Sequence, residues 1–435
     1  MRWYLAAGVV LVVAVLLRLG WLAYAMYVLA GVMVISRWLA RSWANHLVAH
    51  RECNRTTVNV GDTVAVVLSV SNSGRLSVPW LLVEDQLPAE ALIERPPRIV
   101  VVGRRLQLVT LRGRQRKTLP YQLRFQERGY YQIGPVVLET GDLFGLYRCF
   151  RTLTEPHFVL VYPQVTPLED YDVASRRPIG EVRLSHRLYE DPTRIAGVRA
   201  YQAGDPLHRI HWRATARTGT LHSKLYEPSS IAGATLLLDF HRAAFGDRDV
   251  RFRSELAVRM AASLANALYQ MGHQVGLVTN GRDAADRIRT EGWDPAPQTR
   301  RAARQSAAMR ATSTRLEPLI VPTQRGAEQL LRMLETLARV ELTDGLRLAQ
   351  LVAETAHRMP RDATVIALVP SADVETAVAL GGLRRRGFAV EAIIATSQVH
   401  EFEESAGRLA AEGILARQLS NPSDIAPLCR TALRR

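Results

Sequence analysis

Ala234-Thr235-Leu236-Leu237-Leu238-Asp239-Phe240-His241-Arg242-Ala243 decides how the larger part of this 435-residue chain folds. A short, nearly unbroken apolar run that ends on a polar cluster is the pattern of a strand covered on both faces. Beyond it, Ala257, Ala261, Leu264, Ala265 and Leu268 recur at helical spacing, and Val275 to Val278 repeats the strand pattern. Leu330, Leu334 and Leu337 share one helical face, and Leu348, Leu351 and Val352 share another. Thr364–Val369 and Phe388–Ala395 are further apolar strands, separated by a helix after Asp373. Strands alternating with helices predict an α/β domain with a parallel, doubly wound sheet over 231–435. Within it, Asp283 to Ala311 is rich in Arg, Ala, Gln and Ser and has no period, so it reads as an exposed insertion.

Upstream, 164–230 loses periodicity and reads as a connector carrying a dense motif, Gly204-Asp205-Pro206-Leu207-His208-Arg209-Ile210-His211-Trp212-Arg213-Ala214-Thr215-Ala216-Arg217. Leu221-His222-Ser223-Lys224-Leu225-Tyr226-Glu227 comes next. Together these stretches resemble the signature of the bacterial domain-of-unknown-function 58 family. Arg128-Gly129-Tyr130-Tyr131-Gln132-Ile133-Gly134-Pro135 and Asp142-Leu143-Phe144-Gly145-Leu146 match the same family. The resemblance implies a membrane-anchored protein with a von Willebrand A-like region and a MoxR-type AAA+ ATPase as partner. Two roles fit the motif residues Gly204, Asp205, Arg209, Trp212, Arg213, Thr215, Ala216, Arg217 and Lys224. One is a buried arginine–carboxylate network. The other is an acceptor for an acidic peptide or phosphate, with Trp212 stacking on a partner group.

Ligands of doubly wound sheets bind outside the carboxyl ends of the strands, and Asp239 is the first residue there. In von Willebrand A domains this position opens a metal-binding Asp-x-Ser-x-Ser motif. Here His241 and Ala243 replace both serines, and Arg242 brings positive charge, so Asp239 is at most a degenerate magnesium ligand, with Thr279 and Asp373 as further oxygen donors. No cofactor is expected. His208, His211 and His222 form a second candidate, for zinc, but without a HExxH arrangement or a cysteine partner. Gly-x-Ser-x-Gly elbows, phosphate loops and dinucleotide fingerprints are missing from the sequence.

Between Thr56 and about Tyr162 short alternating runs such as Val64, Val66, Leu68, Val70 and Tyr121, Leu123, Phe125 predict an immunoglobulin-like β-sandwich over 56–163. Rings of Tyr130 or Phe144 are expected to bury between its sheets. From Trp3 to Ile35 the only charge is Arg18, which predicts a transmembrane helical hairpin over 1–40 with its turn at Arg18-Leu19-Gly20. A single long anchor and a signal peptide cut after Ala23-Tyr24-Ala25 are the alternatives. Arg37, Arg41, Arg51 and Arg55 come after the run and only Arg2 precedes it, which places the soluble part in the cytoplasm beneath a bacterial inner membrane. Three scattered cysteines fit a reducing compartment. The net charge of +15 is spread through every region, which argues against nucleic acid and for the lipid bilayer as partner.

The sequence is thus read as a non-catalytic membrane-anchored adaptor or scaffold, working with a MoxR-type AAA+ ATPase on an envelope client protein in complex assembly or maturation. The alternative reading is a metal-dependent hydrolase using His208, His211 and His222.

Overall fold

The computed structural model describes residues 9–10, 12–13, 16, 20–168, 190–202, 210–228, 233–291, 316–360 and 363–430. They form two compact units. The first comprises Met1–Gln164, Gly281–Arg315 and Leu334–Asp344; the second comprises Val165–Asn280, Leu316–Met333 and Gly345–Arg435.

The first unit opens with helix α1 (Gly20–Asn45), the one described helix long and apolar enough to cross a membrane by length and composition. The expected turn at Arg18-Leu19 lies outside the described residues, and Gly20 is already helical. From Met33 onward Ser36, Ala40, Trp43 and Ala44 are buried at helical spacing. A single residue, His46, separates α1 from β1 (Leu47–Cys53), so the sandwich begins earlier in the chain than its alternating pattern suggests. Next are β2 (Thr57–Asn59), β3 (Thr63–Asn72), β4 (Val78–Asp85), α2 (Ala89–Ile93), β5 (Ile99–Gly103) and β6 (Leu106–Leu111). Then come β7 (Arg116–Phe125), β8 (Gly129–Ile133), β9 (Val136–Gly141), β10 (Arg148–Thr152) and β11 (His157–Tyr162).

One sheet runs β1-β3-β7-β5, a second β10-β9-β4-β6 and a third β2-β11-β8. The period-two residues of β3 and β7 divide one core between the other sheets. Leu68, Val70 and Leu119 meet Leu81, Val83 and Leu138, with Trp43 of α1 joining them. Val64, Val66, Leu123 and Phe125 meet Tyr131, Val159 and Val161. A buried ion pair crosses this core: Arg51 Nε donates to Asp85 at 2.9 Å, and Tyr121 donates to the same carboxylate at 2.6 Å.

The expected burial of Tyr130 or Phe144 is corrected. Tyr131 is the fully buried ring, while Tyr130 stacks half-exposed on Phe158 with ring centroids 5.2 Å apart. Phe144 is 70% exposed. It lies on the turn between β9 and β10, beyond the reach of both sheets, and Asp142 folds that turn by accepting from the Phe144 and Tyr147 amides.

The second unit begins with β12 (Glu190–Ala200), α3 (Trp212–Thr218) and β13 (His222–Pro228). The antiparallel ribbon of β12 and β13 occupies part of the stretch that lacks periodicity in sequence. Next come β14 (Gly233–Leu238), α4 (Arg242–Phe245), α5 (Val250–Gln270) and β15 (Gln274–Thr279). The chain then contributes β16 (Arg282–Asp283) and α6 (Ala284–Glu291) to the first unit, and goes on to β17 (Leu319–Gln324) and α7 (Ala327–Arg339), whose residues from Leu334 on belong to the first unit. After β18 (Val340–Glu341), again in the first unit, it runs through α8 (Leu348–Thr355), β19 (Thr364–Val369), α9 (Val374–Arg385), β20 (Val390–Ala395), α10 (Val399–Ala411), β21 (Leu415–Leu419) and α11 (Ile425–Arg430).

The six-stranded sheet has the order β17-β15-β14-β19-β20-β21. Its pairings are parallel except β15 with β17, a correction to the wholly parallel expectation. β17 contains Pro322, which lacks an N–H and is tolerated at a sheet edge. Val365, Ala367 and Val369 pack with Leu351, Leu380 and Leu409 of α8, α9 and α10 on one face. α5 packs along β14, β15, β19 and β20 on the other. Every residue of β14 is therefore buried, as its apolar run requires.

The segment 282–291 is not an exposed insertion. β16 pairs with β18, and the Arg287 guanidinium binds Glu341 through Nε at 2.8 Å and Nη2 at 3.1 Å. Arg128 donates to the carbonyls of Leu337 at 2.7 Å and Val340 at 2.9 Å, closing the end of α7 within the same unit.

Candidate functional site

The described part of the motif begins at Ile210, which bridges to Ser223. His211 N–H donates to the His222 carbonyl at 2.8 Å, so the two histidines are backbone neighbours. The His211 ring caps α3, its Nδ1 accepting from the Ala214 amide at 3.0 Å. At the other end Gly219, at φ 72°, turns the chain in the left-handed region and donates to the Thr215 carbonyl. Thr215 Oγ1 accepts from the His222 amide at 3.1 Å, tying the helix to β13.

With 100° per residue, Trp212, Ala216, Arg213 and Arg217 succeed one another around one side of α3, and Ala214, Thr218 and Thr215 occupy the other. Trp212, at 67% exposed, and the exposed Arg213, Ala216 and Arg217 make that first side an open face. An indole and two guanidiniums around a small alanine suit a carboxylate-bearing or aromatic partner surface. Trp212, Arg213, Ala216 and Arg217 are thus exposed while Ile210 is buried, and the Asp205 and Arg209 members of the expected arginine–carboxylate network lie outside the described residues. The short helix, about two turns long, is tied to β13, and only its Ala214 and Thr215 side is half covered. Lys224 lies on β13, half-buried, paired with Val198 of β12. Gly204, Asp205, His208 and Arg209 lie outside the described residues.

The strand ends of the six-stranded sheet hold a different arrangement. Asp239, 2% exposed, accepts from Asn280 Nδ2 at 2.8 Å and from the His241 amide at 3.0 Å. Asn280 in turn accepts from the Phe240 amide and donates to the Leu346 carbonyl. Burial pushes the Asp239 carboxyl above its ordinary value, with the Asn280 and His241 hydrogen bonds opposing. Asp373 is the N-cap of α9, accepting from the Thr376 amide, and His241 caps α4. Two of the donors expected around a hard cation, Asp239 Oδ1 and Asp373, are therefore engaged in loop bracing and capping.

Positive charge at these ends comes instead from Arg253 on α5. Its guanidinium, buried in a residue 6% exposed, donates to the carbonyls of Phe245 at 2.9 Å, Pro370 at 2.6 Å and Ala395 at 2.8 Å. Glu401 lies 3.5 Å away. Sequence reading missed Arg253, yet a signal was available. It falls three, four and seven residues before Leu256, Ala257 and Met260, on the helix face that must be buried.

The histidines do not assemble a metal centre among the described residues, where no group of three or more His, Cys, Asp or Glu side chains could hold an ion. His222 Nδ1 is 2.8 Å from the Thr220 carbonyl and 3.2 Å from Thr218 Oγ1.

Residues 197–294, which include α3, β14 and α5, match the family model described as "Protein of unknown function DUF58". A curated relative, the uncharacterized protein YeaD of Bacillus subtilis, is 27% identical over 237 residues. The match spans 54% of this chain and 56% of that relative, somewhat over half of each. Among solved structures, the CARDB domain of a Pyrococcus furiosus protein is 18% identical, covering 26% of this chain and 86% of that one at a TM-score of 0.18. Trypsin-activated alpha-2-macroglobulin of Escherichia coli is 16% identical, covering 38% and 9% at a TM-score of 0.21.

Proposed function

We propose that this chain, which belongs to the DUF58 family through its residues 197–294, works as a membrane-anchored adaptor that binds a partner and performs no chemistry of its own. The carrying observation is the open face of Trp212, Arg213, Ala216 and Arg217 on a helix capped at both ends. A Trp and arginines presented on a braced scaffold are the residue types that dominate binding energy at interfaces. The partner implied by the family resemblance is a MoxR-type AAA+ ATPase, acting with this chain on an envelope client. The sheet order with one antiparallel edge strand beside β15 supports a von Willebrand A-like architecture whose metal position has become structural.

Anchoring is supported by the way α1 ends. The helix is uncharged from Gly20 to Ser36 and mostly exposed there, while its last turns supply Ala40, Trp43 and Ala44 to the sandwich, so an apolar span runs directly into the fold. The arginines at 37, 41, 51 and 55 support a cytoplasmic location for the sandwich and the α/β unit.

The test is crosslinking in native membranes with identification of captured proteins, comparing the intact chain with a Trp212→Ala, Arg217→Ala variant. Loss of an AAA+ ATPase from the variant at unchanged thermal stability supports the reading. Equal capture by both moves the interface away from α3, and capture of no ATPase by either removes the proposed partner.

A further inference from the structure

The turn Asp142-Leu143-Phe144-Gly145-Leu146 is where the sandwich departs furthest from the rule that large apolar side chains are covered. Leu143 and Phe144 are each 70% exposed and Leu146 is 46% exposed. Single exposed leucines are ordinary, but three large apolar side chains within four residues on one tight turn form a patch. The turn is braced. Asp142, itself buried, accepts from the Phe144 amide at 3.2 Å and the Tyr147 amide at 2.7 Å, and Trp80 Nε1 donates to its carbonyl at 3.4 Å.

Two ties fix its place along α1. Ser36 hydrogen-bonds the Asp142 carboxylate, and Arg151 Nη1 donates to the Ala44 carbonyl at 2.9 Å and the Asn45 carbonyl at 3.1 Å. β10 therefore runs alongside α1 in the same direction, and the tip of the β9–β10 hairpin points toward the N-terminal, apolar end of the helix. The uncharged run 20–35 spans about 24 Å as helix, close to the roughly 30 Å hydrocarbon thickness of a bilayer. Ser36 thus marks the level at which α1 leaves the hydrocarbon. Exposed Trp38, Arg37 and Arg41 at that level are the residue types that line a membrane interface, and the Arg148 side chain beside the turn is 70% exposed.

We propose that Leu143, Phe144 and Leu146 form a second membrane contact, a hairpin tip that inserts into the bilayer interface beside α1 and holds the sandwich against the lipid surface. The proposal rests on the anchoring reading. A lone helix leaves the attached sandwich free to rotate and tilt, whereas a helix plus a rigid apolar tip fixes which face of it meets the headgroups.

The experiment uses the full chain, with Cys53, Cys149 and Cys429 changed to Ser, in vesicles of phosphatidylcholine and phosphatidylglycerol. A nitroxide is attached at Phe144→Cys, with references at Tyr27→Cys on α1 and Val102→Cys on β5, and collisions with oxygen and with a water-soluble nickel chelate are compared. Expected are oxygen-dominated collisions at 27 and 144 and nickel-dominated collisions at 102. Oxygen dominance at 27 with nickel dominance at 144 overturns the hairpin contact and leaves the anchor standing. Nickel dominance at 27 overturns the anchor, and the hairpin contact falls with it. If the cysteine-free chain fails to fold, a photoreactive benzophenone side chain in place of Phe144 in the native-cysteine protein gives the same decision. A lipid adduct upholds the contact, and its absence overturns it.

Discussion

Arg253 carries more of the second unit than any charged residue the sequence singles out. Three strand-end and loop carbonyls converge on one guanidinium, so an Arg253→Met change removes the donors and leaves those acceptors buried. Each stranded acceptor costs about 1–3 kcal/mol, offset where water enters, so a loss of roughly 3 kcal/mol in urea unfolding is expected. Arg253→Lys, with one ammonium in place of a planar fork, should fall between. Asp142 gives a pH test. Burial opposes its charge, but amide hydrogen bonds from Tyr147, Leu146 and Phe144 and the Ser36 hydroxyl outweigh this and hold its carboxyl below the ordinary value. A depressed folded value means that its contribution is present above the unfolded value of about 3.9 and is lost as pH falls through the folded one. The gap in melting temperature between the intact chain and Asp142→Asn should be open at pH 7 and close as pH falls through the depressed folded value. Asp142 was legible in sequence only as part of a packing motif. That Phe144 points outward depends on which amides its neighbour accepts from, and no residue pattern encodes that.

At the scale of elements, those buried on both faces were legible, because removing water from both sides of a strand demands unbroken apolar runs. β14, β15, β19 and β20 fall where Ala234–Leu238, Val275–Val278, Thr364–Val369 and Phe388–Ala395 place them, within a few residues. β12 and β13 were not, since a two-stranded ribbon has no deep face to impose alternation. β17 was hidden for another reason: it is short, interrupted by Pro322 and largely half-covered. The exposed face of α3 was half legible. The residues were named, while the short helix that groups Trp212, Arg213, Ala216 and Arg217 hangs on a histidine cap and on Gly219. Gly219 has no neighbour within 4 Å of an added Cβ, so Gly219→Ala meets only backbone strain. A cost of about 1–2 kcal/mol is expected, larger than a seven-residue helix can absorb. Hydrogen exchange should rise across α3 while β14 and β19 stay protected, and partner capture should weaken with it.

For the molecule as a whole, removing metal is expected to cost no stability, because among the described residues no group of three or more His, Cys, Asp or Glu side chains could hold an ion. One Asp239 oxygen, Oδ1, accepts from both Asn280 and the His241 amide, the His211 ring caps α3 and the His241 ring caps α4. Treatment with EDTA should leave the melting temperature unshifted, and purified protein should contain less than stoichiometric zinc. A full equivalent of zinc, lost with His211→Ala, would restore the hydrolase reading. Chain order and spatial order also part company. Gly281–Arg315 and Leu334–Asp344 belong with the sandwich although most of its strands lie before residue 164. Arg128 is bonded to carbonyls more than two hundred positions further along. During synthesis, then, the strands of the first unit's three larger sheets leave the ribosome while its last pieces are still unwritten. Its completion waits until β14 and β15 have already been translated, so the earliest-made part of this protein is among the last to be finished.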